Sequence, residues 1–191
     1  MRSVERTVDE VLLPSIEALD DGTEPQPPEY NIAWRWATGW IAAQQRIAPA
    51  ANRDDAVLIF DASRAPDVDA LYAQALELGL RRSGLRTLTV TLDLDPSRIA
   101  RAINAIEPGA VVLTGRRASL DALGRLAYAA RRNREGVRIY DFRGALPETG
   151  ASTVPSLPGR PLAARDALVE GLLHPQPAPA LKPAPGIAEA V

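Results

Sequence analysis

Few of the side chains that usually carry out chemistry occur in this chain. It has no cysteine and a single histidine, His174, which follows the last predicted helix and is expected to be a cap or tail residue. Thiolate zinc sites, disulfides, cysteine nucleophiles and metal centres with several histidines are therefore excluded. Asp61, Asp67 and Asp69 follow an apolar run and offer oxygen ligands to a hard cation. Carboxylates at such a turn more often cap the next helix, and both interpretations stay open.

All three tryptophans of the chain, Trp34, Trp36 and Trp40, fall within one predicted helix. Trp36 and Trp40 are four residues apart and share a helix face, whereas Trp34 is rotated away from them. Such a group indicates either core packing between two layers or an aromatic surface that holds a ligand or a partner protein. The outward-facing member is the expected anchor of any partner-binding surface.

Composition limits the classes of protein to consider. With 191 residues, 46% of them hydrophobic, the chain can bury one core and a small helical appendage. No apolar run approaches the roughly 20 residues of a membrane span, and the N-terminus is too polar for a signal peptide, so we expect a cytoplasmic protein without membrane contact. Between Arg81 and Arg143 there are 13 basic and 6 acidic residues, a formal charge of +7 against −9 elsewhere. We interpret this as solvated helix faces, because the arginines are spread without interleaved aromatics.

The N-terminal residues 1–50 predict a helical cap. Apolar residues recur at spacings of three and four between positions 4 and 19, as in an amphipathic helix, and Pro14 is expected to kink it. These apolar positions are Val4, Val8, Val11, Leu12, Ile16 and Leu19. The proline-rich stretch 20–28 predicts a loop, and a second helix is expected over residues 29–48.

Residues 51–174 alternate between short apolar runs and amphipathic segments. This pattern predicts a five-stranded, flavodoxin-like parallel sheet with helices on both faces. The expected strands are residues 56–60, 87–92, 110–114 and 137–142, with a short fifth near 152–157, and the expected helices are 67–83, 97–106, 119–132 and 161–173. The proline- and alanine-rich tail, residues 175–191, is expected to be disordered.

Open α/β sheets bind ligands beyond the carboxyl ends of their strands. The loops that follow the predicted strands contain no glycine-rich phosphate-binding turn, which disfavours a nucleotide enzyme. A phosphate-accepting receiver domain needs a carboxylate at the end of the third strand, where this chain has Thr114. The receiver class is disfavoured as well.

The order of elements resembles the B12-binding domain of light-responsive MerR-type transcription regulators and of methionine synthase. VDEVLLPSIEAL, residues 8–19, is similar in character to the start of that family's helical cap, and Glu29-Tyr30 stands where the family has Glu-His. The sheet half of the family carries the signature DxHxxG, SxL and GG. At the same spacing this chain has Asp69 for the histidine, Tyr72 for the first glycine, Thr114 for the serine and Arg143-Gly144 for the glycine pair.

The departures from the signature bear on the cofactor that the resemblance implies. In the family the histidine ligates cobalt, and the glycines and serine accommodate the nucleotide tail of cobalamin. Asp69 is a poor substitute for an imidazole on cobalt, and Tyr72 fills volume that the tail requires. The family's photoregulators also present a Trp-His pair before the last cap helix, whereas residues 14–30 contain neither. We therefore expect a B12-binding-type fold without cobalamin, whose altered cleft positions are Tyr30, Asp69, Tyr72, Thr114, Arg143 and Gly144.

Three functional hypotheses follow. The leading one is a non-enzymatic regulatory or protein-interaction module, a degenerate B12-binding-like domain linked to bacterial transcription regulation. Because the family cap has four helices and this chain predicts two, we expect a second copy or a related transcription regulator to complete it. No helix-turn-helix is predicted, so DNA contact would come from another chain or region. The alternative is a sensor that holds cobalamin or another tetrapyrrole- or flavin-like ligand between cap and sheet. A B12-dependent enzyme is disfavoured by the missing histidine.

Overall fold

The computed structural model describes residues 3–91, 96–134, 136–146 and 154–174. The predicted tail, residues 175–191, and most of the loop after the second strand lie outside the described residues. Within the described ranges, no helix is both long enough and apolar enough to cross a membrane.

The first cap helix runs without a break through three segments. These are α1 (Val4–Thr7), a π-helical segment (Val8–Leu12) and α2 (Leu13–Glu17). Proline lacks the N–H that an α-helix requires, and its ring clashes with the carbonyl four residues earlier. The wider π-helical turn directly precedes Pro14 and keeps the helix continuous, with the N–H of Leu13 donating to the carbonyl of Val8. A π-helical segment therefore lies just before the proline that was expected to disturb the helix.

The π-helical segment corrects the predicted apolar stripe. A five-residue turn places Val8 and Leu13 on the same face, and both side chains are buried together with Ile16. Val11, which the three- and four-residue spacing assigned to the stripe, is exposed. Leu19 is exposed as well, because the helix ends at Glu17.

The second cap helix is α3 (Pro28–Arg46). It begins at the proline, whose fixed φ and missing N–H suit the first helical turn. Tyr30, Ala37 and Ile41 form its buried face. The remaining surface of this helix carries both polar and apolar side chains.

The sheet has four described strands, all parallel, in the order β2-β1-β3-β4. The strands are β1 (Ala56–Asp61), β2 (Arg86–Thr91), β3 (Ala110–Thr114) and β4 (Arg138–Asp141). In register, Asp61 lies between Thr91 and Thr114 at the carboxyl edge. The strand order is that of a flavodoxin-like sheet.

The predicted fifth strand, near residues 152–157, lies partly outside the described residues, and its described part forms a single bridge. Ser156 pairs in parallel with Asp141, next to β4. The N–H of Asp141 donates to the carbonyl of Pro155, and the N–H of Leu157 donates to the carbonyl of Asp141. Pro155 and Pro158 flank the bridge, and neither has an N–H for a longer ladder.

Helices cover both faces of the sheet. They are α4 (Val68–Arg82), α5 (Pro96–Ile106), α6 (Leu120–Asn133) and α7 (Pro161–Leu173). Because side chains alternate along a strand, Val57 and Ile59 face the core shared with α4, α7 and the cap. Leu58 and Phe60 face the second core, under α5 and α6.

Helix α4 lies at the centre of the first core. Ten of its 15 residues are buried, since the sheet, α7 and both cap helices pack around it. Cap and sheet therefore share one continuous core through α4. The N-terminal end of α4 points to the carboxyl edge of the sheet, where the cap reaches the loops.

Candidate functional site

The carboxyl edge of the sheet brings together the loops after β1, β3 and β4. The N–H of Ala62 donates to the carbonyl of Thr114 at 2.8 Å, which extends the pairing of β1 with β3 beyond the strands. Gly115 then adopts a φ of +80°, and a Cβ at this position would lie 2.2 Å from the backbone nitrogen of Ser63. Glycine is thus required where the first and third loops touch.

The loop after β4 turns through two consecutive residues with left-handed backbones. Arg143 has a φ of +60° and Gly144 a φ of +74°. Glycine adopts this conformation freely, whereas a residue with a Cβ does so at a cost of about 1 kcal/mol. The backbone at positions 143 and 144 thus has the conformation that suits a glycine pair, with an arginine at the first position.

The side chain of Arg143 joins the sheet edge to the cap. Its Nε donates to Oδ1 of Asp69 at 2.8 Å, and its Nη2 donates to Oε1 of Glu17 at 3.1 Å. The guanidinium lies over the ring of Tyr72, with Cζ 3.6 Å from the ring centre. Such stacking of an arginine on an aromatic face is favourable when both groups are largely removed from water.

Tyr72 lies beneath Arg143, and Arg160 contacts the hydroxyl end of Tyr72. The side chain of Tyr72 is 0% exposed. Nη1 of Arg160 donates to the hydroxyl of Tyr72 at 3.3 Å and to the carbonyl of Asp9 in the first cap helix at 3.2 Å. We call Glu17, Asp69, Tyr72, Arg143 and Arg160 the Arg143 cluster.

Two aromatic residues of α3 fasten the cap to the loop after β1. The hydroxyl of Tyr30 donates to the carbonyl of Pro66 at 2.6 Å, and Nε1 of Trp34 donates to the carbonyl of Asp67 at 2.9 Å. Tyr30 is fully buried and Trp34 is half-buried against the main core. These residues act as ties between cap and sheet.

The charges of the Arg143 cluster compensate one another. Two carboxylates, Glu17 and Asp69, pair with the guanidinium of Arg143, and Nε of Arg116 lies 3.9 Å from Oδ2 of Asp69. Burial alone would lower the pKa of Arg143, but the hydrogen bond and charge of Asp69 outweigh it and raise that pKa. Arg143 is held in its charged form.

Both tyrosines at this edge are poor acids. Burial, followed by the hydrogen bond and charge of Glu17, raises the pKa of Tyr72 to about 12. Burial, followed by the charges of Asp20, Asp67 and Asp69, raises the pKa of Tyr30 to about 12. Neither phenol ionises near neutral pH, so neither supplies a phenolate base or nucleophile there.

Two hydroxyl groups behind the cluster are buried. Thr114 is 1% exposed, and its Oγ1, like Oγ of Ser63, has no hydrogen-bond partner among the described residues. A buried hydroxyl without a partner is costly in free energy. The Arg143 cluster makes no hydrogen bond to either of these hydroxyls within the described residues.

His174 lies away from the carboxyl edge, and Asp61 and Asp67 stabilise turns of the loop after β1. Helix α7 ends next to Arg138, the first residue of β4, so His174 lies at the amino edge of the sheet, opposite Asp69. Oδ1 of Asp61 accepts from the N–H of Ser63, and Oδ2 of Asp67 accepts from the N–H of Arg64. Within the described ranges, no group of three or more histidines and acidic residues is placed to hold a metal ion.

The structure brings together most of the positions that the sequence singled out at the edge. Asp69, Tyr72 and Arg143 are in direct contact, while Tyr30, Thr114 and Gly144 line the adjoining loops. Sequence reasoning missed Glu17 and Arg160. Glu17 lies on the polar side of the first cap helix, and Arg160 immediately precedes Pro161 at the start of α7. Neither position carries a periodicity or motif that sets it apart.

The tryptophans divide between core and surface. Trp34 and Trp40 pack against the main core, whereas Trp36 is 60% exposed. The rings of Trp36 and Trp40 stack with centroids 6.3 Å apart and planes inclined by 16°. Trp36 is therefore the outward-facing member of the three.

Comparison with known proteins bears on the fold. No family model matches this chain, and no curated protein matches it in sequence. A solved structure, the monomethylamine corrinoid protein of Methanosarcina barkeri, is similar with a TM-score of 0.56 over 83% of this chain and 77% of that chain, at 9% sequence identity. The likeness shows the fold. The chain has an α/β fold of the corrinoid-protein, or B12-binding, type, with a parallel sheet and a helical cap, as the sequence predicted.

Proposed function

We propose that the chain is a non-enzymatic protein-interaction module on a B12-binding-type fold, and that it does not bind cobalamin. The observation that carries this proposal is the Arg143 guanidinium, which lies 3.6 Å over the ring of buried Tyr72 at the carboxyl edge of the sheet. The chain's own side chains occupy the edge at which open α/β sheets bind ligands.

The residues at this edge do not suit the corrinoid that the fold implies. Asp69 stands where a neutral imidazole would be needed, and Arg143 already engages its carboxylate at 2.8 Å. A group that binds there must separate this pair, leaving charges unpaired in a largely buried place. It must also displace Tyr72, which is fully buried and fixed by Arg160. Both requirements oppose cobalamin.

The same geometry supports a role without catalysis. The acidic side chains of the Arg143 cluster are in ion pairs, and both tyrosines at the edge have a pKa of about 12. A general base must be free to accept a proton near the working pH. The cluster instead ties Glu17 of the first cap helix to the sheet, which favours a rigid, preorganised cap surface.

The proposed link to transcription rests on the resemblance of residues 8–19 and of the motif spacing to MerR-type light-responsive regulators. In this proposal the partner is a second copy of the chain or a related regulator that reads DNA itself. Cap residues supply the contacts, because the exposed large apolar side chains include Ile32 and Trp36 of α3 and Val11 of the first cap helix.

Titration with adenosylcobalamin tests this function. The absorbance spectrum of the corrinoid is recorded in the dark while purified protein is added up to a several-fold excess. We expect a spectrum that stays that of the free corrinoid. Any spectral change that saturates at one equivalent, or corrinoid that stays with the protein on gel filtration, would overturn the proposal, because it would show that the protein binds the corrinoid.

A ligand sensor is the second candidate, and the buried hydroxyls of Thr114 and Ser63 favour it. Without partners among the described residues, they could donate to a small polar ligand at the edge. The absorbance spectrum of protein purified from cells tests this function, since tetrapyrroles and flavins absorb visible light. A bound chromophore that Thr114→Val removes, with the assembly state unchanged, would favour the sensor over the interaction module.

A further inference from the structure

The outer face of α3 carries an apolar stripe that nothing in the described part of the chain covers. Ile32 is 71% exposed and Trp36 is 60% exposed. At 100° per residue these two share one side of the helix with Gly39, Trp40 and Ala43. This side is turned away from Tyr30, Ala37 and Ile41, which are buried against α4. We call it the α3 outer face.

The exposed residues of the stripe differ in size between the two halves of the helix. Ile32 and Trp36 lie in the first half and the small residues Gly39 and Ala43 in the second, where Trp40 is half-buried against the main core and stacks on Trp36. A Cβ added at Gly39 would meet nothing within 4 Å, so the surface is open there. The ends of the face are oppositely charged, with Glu29 in the first turn and Arg46 in the last.

This distribution of large and small residues is self-complementary when α3 packs antiparallel against α3 of a second copy. With the midpoint between residues 37 and 38 on a two-fold axis, Trp36 lies opposite Gly39 of the second copy, and Ile32 lies opposite Ala43. Glu29 comes opposite Arg46 at each end. These three pairings set a large side chain against a small one or an acid against a base, as close helix packing requires. Trp40, half-buried against the main core, lies at the rim of the face and level with Arg35 of the second copy.

A parallel pair of the same helices would lack this complementarity. Trp36 would meet the same tryptophan of the other copy, Gly39 would face another glycine across a gap, and Glu29 would face a like charge. Like charges in contact and unfilled volume both oppose association. The sequence of the face therefore selects the antiparallel orientation.

We infer that the α3 outer face is a homodimer interface, in which α3 packs antiparallel against α3 of a second copy around a two-fold axis at Trp36 and Gly39. The inference rests on the proposed interaction function and names its partner. Helix α3 has 19 residues and is about 28 Å long, so one helix pair gives an interface at the small end of the specific range, about 1,000 Å². We expect a dimer that dissociates on dilution.

The experiment that tests the orientation uses the absence of natural cysteines in the chain. Glu29→Cys and Arg46→Cys are prepared as separate full-length proteins and treated with a short bis-maleimide, alone and as a mixture. The antiparallel dimer predicts a covalent dimer in the mixture and little from either variant alone. A product from each variant alone, with no gain in the mixture, would show a parallel pair and overturn the inference.

A second variant tests the packing without risk to the fold. Gly39→Leu replaces a poor helix former on an exposed surface, so the single chain should become more stable. It also fills the space that Trp36 of the second copy needs. We expect sedimentation velocity to show weaker dimerisation, by about 30-fold, the loss typical of an interface anchor. Gly124→Leu, the same change at an exposed position of α6, is the matched control and should leave dimerisation unchanged.

The outcomes separate this inference from the proposed function. A protein that stays at the chain mass of 20.5 kDa at high concentration overturns the dimer and leaves the absence of cobalamin binding intact. Unchanged or stronger dimerisation of Gly39→Leu also overturns the inferred contact. Corrinoid binding overturns the proposed function whatever the assembly state is.

Discussion

The carboxyl edge of the sheet and the α3 outer face invert the usual roles of such surfaces. An α/β sheet normally keeps its carboxyl edge open for a ligand, and here the Arg143 cluster fills it with compensated charges over a fully buried tyrosine. A surface helix normally turns polar residues to water, and α3 turns Ile32 and Trp36 outward instead. This contrast is the basis for our proposal that binding takes place at the cap while the fold keeps its α/β architecture.

The two regions also differ in how they depend on the rest of the chain. The edge is assembled from residues distant in sequence, since Arg143 bonds Glu17 and Asp69. The α3 outer face lies on one helix. We therefore expect substitutions at the edge to change folding stability and substitutions at the face to change assembly.

The largest expected effect is at Tyr72. Tyr72→Ala leaves a cavity in the core and removes the surface on which Arg143 stacks, so we expect the free energy of unfolding to fall by about 3–5 kcal/mol. Urea denaturation followed by circular dichroism measures it. Tyr128→Ala, at an exposed position of α6, is the control. Equal losses for the two variants would contradict the buried placement of Tyr72.

The next effect is a loss of stability at alkaline pH. Tyr30 and Tyr72 have a pKa of about 12 in the folded chain against an ordinary value of 10. The folded state thus holds both protons over a pH range in which the unfolded state releases them. The stabilisation is complete below pH 10 and is lost as the pH rises through 12, by up to about 3 kcal/mol for each tyrosine.

Urea denaturation at several alkaline pH values measures this loss. Tyr72→Phe keeps the ring and removes the proton, so its stability should decline less steeply above pH 10 than that of the wild type. Parallel slopes for the two proteins would show that Tyr72 ionises normally in the folded state.

How far the sequence predicts this fold depends on the kind of signal. The apolar strands and the helices between them were predicted to within about two residues, because burial on both sheet faces leaves short continuous apolar runs. The fifth strand is not confirmed, since the described part of residues 152–157 forms only the bridge at Ser156, between two prolines. Val11 was misplaced because a π-helical turn has no periodicity that a sequence shows in advance.

The candidate site was predictable in its positions and less so in its contacts. Motif spacing identified Asp69, Tyr72 and Arg143, and the structure brings them together. The motif spacing gave no indication that Arg143 bonds Asp69, or that Glu17 and Arg160 join them. Such contacts arise only when the cap folds onto the sheet. A spacing pattern fixes where residues lie in the fold but not which side chains pair.

Two substitutions at Arg143 distinguish the cost of its left-handed backbone from the contribution of its ion pairs, and both should change stability less than Tyr72→Ala. Arg143→Ala removes both ion pairs and keeps a Cβ at a φ of +60°, so we expect a loss of about 2 kcal/mol in the free energy of unfolding. Arg143→Gly removes the same contacts and relieves the backbone, and should cost about 1 kcal/mol less. Urea denaturation of the two variants side by side gives the difference. A glycine variant less stable than the alanine variant would refute the left-handed backbone.

The smallest expected effect on folding is at Trp36. Because the side chain is 60% exposed, Trp36→Ala should change the stability of the single chain by less than about 0.5 kcal/mol. The wild type should gain thermal stability with protein concentration, as a dimer does, and the variant should not. Differential scanning calorimetry over a range of concentrations checks both statements. Equal concentration dependence in the two proteins would place the assembly surface elsewhere.

We propose that the chain's own side chains occupy the carboxyl edge and leave no room for cobalamin. Equilibrium dialysis against methylcobalamin in the dark tests this proposal. The wild-type protein is used at micromolar concentration, and the corrinoid on each side of the membrane is measured by absorbance. The account predicts equal concentrations on the two sides. Retention of one equivalent by the protein would contradict it, because cobalamin could enter only by displacing Tyr72 and separating Arg143 from Asp69.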